Sequence, residues 1–253
     1  MTSPSRAPML EADLGPGVRG AFTLRHGGVS PAPWSSMNLG LGVTDEPARV
    51  AENRRRVDGW AGAPVTYATQ VHGAGVALVA RPPADSASAV GEHDALVATS
   101  VGVPVAVLVA DCVPVLLADP VAGVVAAVHA GRAGVLAGVV PGAVATMVAS
   151  GAEPARVRAV VGPAVCGRCY EVPPGLQEDV CRVVPAARST TSWGTTALDL
   201  PAAVATQLGA AGVGAVERVD ACTVTDERFF SHRRATALGS TTGRFAAVVV
   251  RDA

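Results

Sequence analysis

Two histidines and one cysteine are the residues best suited to chemistry, because each lies where an apolar, strand-like run gives way to a turn or loop. They are His72 in Gln-Val-His-Gly, Cys112 in Ala-Asp-Cys-Val-Pro and His129 in Val-His-Ala-Gly. Imidazole nitrogen and thiolate sulfur are donors that bind zinc, and three protein ligands leave a fourth tetrahedral position open for water or substrate. The three residues therefore predict a catalytic rather than a structural metal site.

A second interpretation uses the same side chains without a metal. Cys112 would be the nucleophile, His129 its base, and Asp111 or Asp94 the carboxylate that orients the base. The second histidine, His72, favours the metal site, because a cysteine-based triad requires only one histidine.

Asp111 directly precedes Cys112, and we treat both as catalytic candidates. The carboxylate of Asp111 has two interpretations of equal weight. It either accepts a hydrogen bond from a ligand histidine and so orients it, or forms a turn without a chemical role. Both interpretations stay open from the sequence.

Anionic groups of a substrate must be held by arginine, backbone amides or metal, because the chain contains no lysine. Arg25, Arg233 and Arg244 are candidate clamps, since a guanidinium offers two parallel donors and stays charged. The absence of lysine also excludes Schiff-base and pyridoxal chemistry, as well as the phosphate-binding loop that ends in Gly-Lys-Ser/Thr.

The other cysteines and histidines carry weaker signals. Cys166 and Cys169 form half of a zinc or redox motif, which we interpret as a loop because no second half accompanies it. His26 and His232 could each line the pocket, but a surface or packing role is favoured for both, and His93 is interpreted as an exposed loop residue.

Composition limits the classes of protein to which the chain can belong. Hydrophobic residues make up 49% of the 253 residues, but no apolar run reaches the length of about 18 that a membrane span requires. We expect no secretory signal, and five scattered cysteines favour reduced thiols, so we expect a cytoplasmic protein. A net charge of −1 creates no field that attracts nucleic acid. Neither membrane nor nucleic acid is expected as a partner, and a monomer is favoured.

The pattern of elements predicts an α+β fold, with mixed β-sheets and flanking helices in a layered sandwich. Residues 1–17 are expected to form a disordered tail, and residues 18–253 a single catalytic domain. Val-rich runs between residues 65 and 128 are apolar almost throughout, which indicates strands covered on both faces. Helical spacing marks residues 47–59, 134–150, 176–184 and 201–211, and further strands are expected at 157–161, 215–219 and 245–250.

Several motifs, in order from about residue 20 to the C-terminus, resemble one known family. Besides the runs around the three metal-ligand candidates, they are Arg-His-Gly-Gly-Val-Ser from Arg25, Met-Asn-Leu-Gly from Met37, Val-Gly-Pro from Val161, Tyr-Glu-Val from Tyr170 and Phe-Ser-His-Arg-Arg from Phe230. The chain is thereby similar to the laccase-domain or polyphenol oxidase family, also called peptidoglycan editing factor.

The resemblance implies an α+β enzyme with zinc at His72, Cys112 and His129, and with copper as an ion that can replace zinc in vitro. Family members are described as purine nucleoside phosphorylases. They convert adenosine, inosine and methylthioadenosine to free base and ribose 1-phosphate, and have adenosine deaminase activity as well. The partners that the resemblance implies are therefore a purine nucleoside and phosphate.

Three alternatives remain open: an amidohydrolase that edits peptidoglycan precursors, a copper-dependent polyphenol oxidase, and a non-catalytic scaffold with a vestigial metal site. Hydroxide generated by zinc fits attack on C6 of a purine directly, which supports deamination. A laccase needs several copper centres and more histidines than the five present, which disfavours the oxidase.

The candidate substrate-binding residues are Arg25, Asn38, Arg132 and Arg244. One of them marks a departure from the family, which usually has Trp-Arg after His-Ala-Gly, where this chain has Arg132 and Ala133. Arg132 restores a positive charge at the neighbouring position, but it does not supply the packing area of an indole. This departure does not change the predicted metal ligands, but it makes the substrate preference uncertain to transfer from the family.

Overall fold

A computed structural model describes residues 7–252, so the first six positions of the expected tail lie outside the described residues. The strands are β1 Met9–Ala12, β2 Val18–Thr23, β3 Tyr67–Thr69, β4 Val76–Val79, β5 Ala89–Glu92, β6 Ala95–Ala98, β7 Val105–Val109, β8 Val113–Asp119, β9 Val124–Ala130, β10 Arg158–Val161, β11 Arg188–Thr190, β12 Thr196–Leu198, β13 Ala215–Arg218 and β14 Phe245–Arg251. The helices are α1 Pro47–Ala61, α2 Arg132–Ala137, α3 Val139–Ala149, α4 Pro174–Val183, α5 Leu200–Ala210 and α6 His232–Ala237.

Two large sheets form the centre of the fold. The first is antiparallel, with the strand order β1-β2-β14-β7. The second is mixed, with the order β13-β10-β8-β9-β6-β4, in which the two outermost pairs are parallel. Two short pairs, β3 with β5 and β11 with β12, complete the strand pairing. The fold is α+β, as the sequence predicts.

Side chains alternate between the two faces of β14, which explains how the layers stack. Ala247 and Val249 face the second sheet and share a core with its residues. Ala246 and Val248 face the other way and pack against Val57 of α1. On its far side, the second sheet packs against α3 and α5. The layers are therefore helix, sheet, sheet, helix, and both sheets are covered on each face.

Two expectations are corrected by the structure. The predicted helix over residues 134–150 is two helices, α2 and α3, because Gly138 between them adopts a left-handed conformation with φ of 84°. The expected disorder through residue 17 is wrong for residues 9–12, which form β1 and pair with β2. Leu14 is also buried, in the core between the sheets. The high content of Ser, Pro and Ala at the N-terminus obscured this short edge strand.

None of the helices within residues 7–252 combines the length and the apolarity that a membrane crossing requires.

Candidate functional site

The three predicted donors come together where β3, the β7–β8 turn and β9 meet. His129 lies in β9 and is 2% exposed, whereas Cys112 lies in the turn between β7 and β8 and is half-buried. His72 follows β3 in a loop, is exposed, and has a positive φ of 59°. A non-glycine residue seldom adopts that backbone conformation, and it occurs more often at functional sites than elsewhere.

The spacing of the donors fits a small, thiophilic metal ion. One donor atom from each of His72, Cys112 and His129 lies within 4.8 Å of the others, and Cys112 Sγ is 3.7 Å from His72 Nε2. Tetrahedral zinc with ordinary bond lengths places a sulfur and a nitrogen about 3.6 Å apart. Two imidazoles and one thiolate also form a donor set that suits zinc or copper. The residues therefore fit a bound metal ion.

Asp94 fixes both histidines. It is completely buried at the start of the β6 region, and its Oδ1 accepts a hydrogen bond from His129 Nδ1 at 2.7 Å. This bond leaves Nε2 of His129 facing the donor cluster. The same carboxylate accepts backbone N–H bonds from His72 at 3.0 Å and Gly73 at 2.7 Å. Burial alone raises the pKa of Asp94, but the bonds from His129 and Gly73 outweigh burial and hold the pKa below its usual value.

The electrostatics of the cluster favour a thiolate. Burial opposes a charge on Cys112, yet its hydrogen bonds to His129 and His72 lower the pKa of the thiol to about 6. Burial likewise opposes a charge on His129, but its bonds to Asp94 and Cys112 raise the pKa of the imidazole to about 9. The thiolate is the form of cysteine that binds metal or acts as a nucleophile.

Gly131 shapes the space beside the donors. A Cβ added at this position would lie 2.7 Å from His72 Cδ2, 3.3 Å from Cys112 Sγ and 3.5 Å from His129 Cε1. The absence of a side chain therefore allows the three donors to approach one another, as the small residues after His129 in the sequence suggest.

Within the described residues, the carboxylate of Asp111 forms no hydrogen bond with His72 or His129. Its Oδ1 accepts a hydrogen bond from Thr223 Oγ1 at 2.6 Å, and its Oδ2 accepts one from the backbone N–H of Arg233 at 2.6 Å. Asp111 also has a positive φ of 89°. Of the two interpretations from the sequence, the orienting role belongs to Asp94 instead, and Asp111 ties the Cys112 turn to the start of α6.

Two cavities, each of about 550 Å³, meet at Cys112. His72, His129 and Arg244 line the first cavity. The second is lined by Arg132, Arg233, Tyr170 and neighbouring residues. Volumes of this size are typical of small-molecule sites.

His232 is exposed and lines both cavities, together with Cys112 and Ala110. The sequence left a pocket position open for His232 but favoured a surface or packing role, and the structure places it at the pocket. A usable signal is the helix-capping serine at position 231. Ser231 Oγ accepts a hydrogen bond from the backbone N–H of Arg234, which places His232 at the first position of α6.

Two of the four substrate-binding candidates line a cavity. Arg244 lines the first, and burial lowers the pKa of its guanidinium although Cys112 and Asp111 oppose the shift. Arg132 lines the second, at the start of α2. Nη1 of Arg244 donates to the carbonyl of Gly243 at 3.0 Å. Within residues 7–252 the other guanidinium nitrogens of Arg244 form no hydrogen bond, so they are available to an anion.

The other two candidates have structural contacts instead. Asn38 is completely buried: its Nδ2 donates to Asp45 at 2.8 Å, and its Oδ1 accepts from the backbone N–H of Arg244 at 2.9 Å. Nε of Arg25 donates to the Ser35 carbonyl at 2.8 Å, and Arg25 lines neither of the two cavities. Direct substrate contact by Arg25 or Asn38 stays a prediction. The structure shows that Asn38 positions the backbone of Arg244.

The fold and the donor cluster define a laccase-like class of α+β protein. Residues 19–252 match the family model described as "Multi-copper polyphenol oxidoreductase laccase", and the chain belongs to this family. The resemblance deduced from the motifs is thus confirmed.

Individual relatives and a solved structure show how similar this chain is to particular members of the family. The chain is 50% identical to "Purine nucleoside phosphorylase ORF3" of Streptomyces griseus, over 92% of this chain and 94% of that protein. It is 49% identical to "Purine nucleoside phosphorylase SCO2081" of Streptomyces coelicolor, over 93% and 96%. Among solved structures, YlmD from Geobacillus stearothermophilus superposes with a TM-score of 0.87 and 34% identity, over 100% of this chain and 98% of that one. Relatives named as purine nucleoside phosphorylases indicate an enzyme.

Proposed function

We propose that the chain is a zinc-dependent purine nucleoside phosphorylase that converts adenosine, inosine or methylthioadenosine to free base and ribose 1-phosphate. The observation that carries the proposal is an open cluster of three metal donors, His72, Cys112 and His129, at the junction of two cavities. The names of the relatives supply the reaction type.

Phosphorolysis requires an anion site, and Arg244 provides it. Its guanidinium is partly buried in the first cavity, where a bidentate contact with phosphate is stronger than in water. A phosphate oxygen attacks C1′ of the ribose, the bond between C1′ and N9 breaks, and the purine leaves with that electron pair. The departing base then takes a proton, and His232, which reaches both cavities, is the candidate donor.

The same donors also support the second proposed activity, deamination of adenosine. When bound, zinc supplies Lewis acidity and a source of hydroxide at neutral pH, which hydrolytic removal of the 6-amino group requires. Cys112 and the two histidines would hold the ion, while Asp94 keeps His129 in the tautomer that presents Nε2. The five histidines of the chain are too few for several copper centres, so we do not propose an oxidase.

One observation favours an amidohydrolase that acts on peptidoglycan precursors as a second candidate. The donor atoms of Cys112 and His129 lie within 4.8 Å of each other, and His129 Nδ1 donates to Asp94 Oδ1 at 2.7 Å, an order of thiol, imidazole and carboxylate that can activate a cysteine nucleophile. In that case Asp94, rather than Asp111, orients the base. His72 has no part in such a triad, and this ranks the candidate second.

Product analysis separates the candidates. Purified protein with a measured zinc content is incubated with adenosine and inosine, with and without phosphate, beside Cys112→Ala. Cys181→Ala is the matched control, because this cysteine is buried in α4 and lines neither of the two cavities. We expect adenine, hypoxanthine and ribose 1-phosphate only with phosphate, in the wild type and the control but not in Cys112→Ala.

Two other results of this experiment would support a different activity. Inosine formed from adenosine without phosphate, and no free base under any condition, would leave deamination alone. If the zinc-loaded protein consumes neither nucleoside but releases an amino acid from a muropeptide, the phosphorylase proposal fails and the amidohydrolase replaces it.

A further inference from the structure

A second group of metal donors lies outside the candidate active site. It consists of Cys166, Cys169 and Cys222, which we call the three-cysteine cluster. Their Sγ atoms all lie within 4.8 Å of one another, and all three side chains are half-buried. The Cys-x-x-Cys pair has no further cysteine close to it along the chain. The fold supplies one, because Cys222 lies beside the pair although it is 56 residues beyond Cys166.

Tight turns hold the thiols in place. The backbone N–H groups of Cys169 and Tyr170 both donate to the carbonyl of Cys166, at 2.9 and 3.0 Å, which folds the Cys-x-x-Cys segment back on itself. On the other side, Thr225 and Asp226 donate to the carbonyl of Cys222 at 3.1 and 2.8 Å. The cluster is therefore built from two facing turns, as in zinc sites made of short cysteine loops.

Cys222 is surrounded by donors suited to a thiolate. Its Sγ accepts a hydrogen bond from the N–H of Cys166 at 3.4 Å. Three thiolates so close together repel one another unless a cation lies between them.

We propose that Cys166, Cys169 and Cys222 form a second, structural metal site for a thiophilic cation, with Zn²⁺ as the preferred ion. Three sulfur donors at this spacing match the ligand preference of zinc and of Cu⁺, and water would complete the coordination of zinc. The structural role is inferred from the position of the cluster outside both cavities and not from the number of its protein ligands. None of the three cysteines lines either of the two cavities, so the site holds chain segments together rather than meeting a substrate.

The segments that the ion would join are those that hold Asp111. The backbone N–H of Val165, next to Cys166, donates to the carbonyl of Asp111 at 3.0 Å. Thr223, next to Cys222, donates through Oγ1 to the carboxylate of Asp111 at 2.6 Å. The second ion therefore stabilises the turn that carries Cys112 without contacting the first metal site.

Metal counting in the intact protein tests the proposal. Protein purified under reducing, oxygen-free conditions is loaded with Zn²⁺, freed of excess ion and analysed by mass spectrometry. We expect two bound zinc ions in the wild type, one in His129→Ala, one in Cys169→Ser and two in the control Cys181→Ser. A single ion in the wild type that is retained in Cys169→Ser would overturn the proposal.

The absorption of bound Co²⁺ is a second measure of metal binding at the three-cysteine cluster, and it does not require Cys169→Ser to fold. In Cys112→Ala the active-site cluster has no thiol, so any charge-transfer absorption from thiolate to Co²⁺ must come from the three-cysteine cluster. We expect a strong band in Cys112→Ala, lost when either Cys166→Ser or Cys222→Ser is added. Absence of the band, or a thiol titration of the metal-free protein that finds a disulfide among the three cysteines, would contradict the proposal.

Discussion

Two clusters of three donors lie in the same chain, and their surroundings differ more than their donors do. In the cluster of His72, Cys112 and His129, a buried carboxylate orients an imidazole and the donors open onto two cavities. In the three-cysteine cluster, backbone amides hold the sulfurs in facing turns. A catalytic metal site therefore differs from a structural one in two respects besides the identity of its donors. These are the cavity next to the donors and the residues that form hydrogen bonds with them.

The largest effect is expected from His129→Ala. Removal of this donor abolishes metal binding at the active site and lowers phosphorolysis on the order of a thousandfold, because a bound Lewis acid is worth several kcal/mol in the transition state. His26→Ala is the control, since this histidine is exposed and lines neither of the two cavities. Activity of His129→Ala near that of the control would place the chemistry elsewhere.

A smaller loss is expected when the orienting carboxylate is changed. Asp94→Asn should lower metal affinity and activity about 10- to 100-fold, as is typical when a hydrogen-bond partner of a metal ligand is substituted. Asp119→Asn is the matched control: Asp119 is also completely buried and accepts backbone N–H bonds from Val121 and Glu153, but it lies far along β8 from the donors. The control should lose stability and keep its metal. Equal metal loss in both variants would mean that Asp94 acts only through folding.

Gly131→Ala tests how closely the donors must approach. The added Cβ lies 2.7 Å from the ring of His72, so we expect the loop of His72 to shift and metal affinity to fall about tenfold. Gly209→Ala in α5 is the control, since nothing lies within 4 Å of its added Cβ. Calorimetric zinc titrations of the two variants measure the difference, and indistinguishable affinities would refute the close-approach argument.

Cys169→Ser should affect stability more than chemistry. Loss of a structural ion removes about 3 kcal/mol of stabilisation when free zinc is about a hundredfold above its dissociation constant. The melting temperature of the zinc-loaded protein should therefore fall, while kcat/KM changes less than in any variant above. A loss of activity as large as that of His129→Ala, with the fold intact, would reverse the roles assigned to the two clusters.

The smallest expected effect is on the pH dependence of stability. Burial raises the pKa of Asp119, but its bonds from the Glu153 and Ala122 amides and from Arg156 outweigh burial and lower it. A carboxylate with a lowered pKa stabilises the fold above its unfolded pKa of about 4, and this contribution is lost as the pH falls through the folded value. Denaturant unfolding should show a shallower decline below pH of about 4 in Asp119→Asn than in the wild type.

The sequence was more informative about one cluster than about the other. His72, Cys112 and His129 each follow or end an apolar run, and strand ends converge at sheet edges, so the grouping could be predicted. Cys222 could not be paired with Cys166, because no periodic pattern links two turns so far apart in the chain. The parallel bridge between Ala164 and Cys222, which follows the pairing of β10 with β13, brings the two turns together.

The carboxylate behind the ligands was also hard to assign. Asp111 and Asp94 both flank strands, and the sequence left the choice of orienting carboxylate open between them. Pairing of β6 with β9 places Asp94 beside His129, and this depends on strand register across the sheet. Asn38 lies in a polar loop, and the sequence therefore suggested that it contacts the substrate. In the fold, Arg244 packs against this loop and donates its backbone N–H to Asn38, which is completely buried.

Reconstitution of the metal-free protein tests the central claim most directly. Zinc is added stepwise to metal-free wild type, Cys169→Ser and His129→Ala while phosphate-dependent release of hypoxanthine from inosine is followed. We predict that activity rises with zinc in the wild type, rises to an endpoint of one ion in Cys169→Ser, and stays absent in His129→Ala. Full activity in the metal-free wild type, or recovery in His129→Ala, would contradict the assignment of catalysis to the His72, Cys112 and His129 cluster.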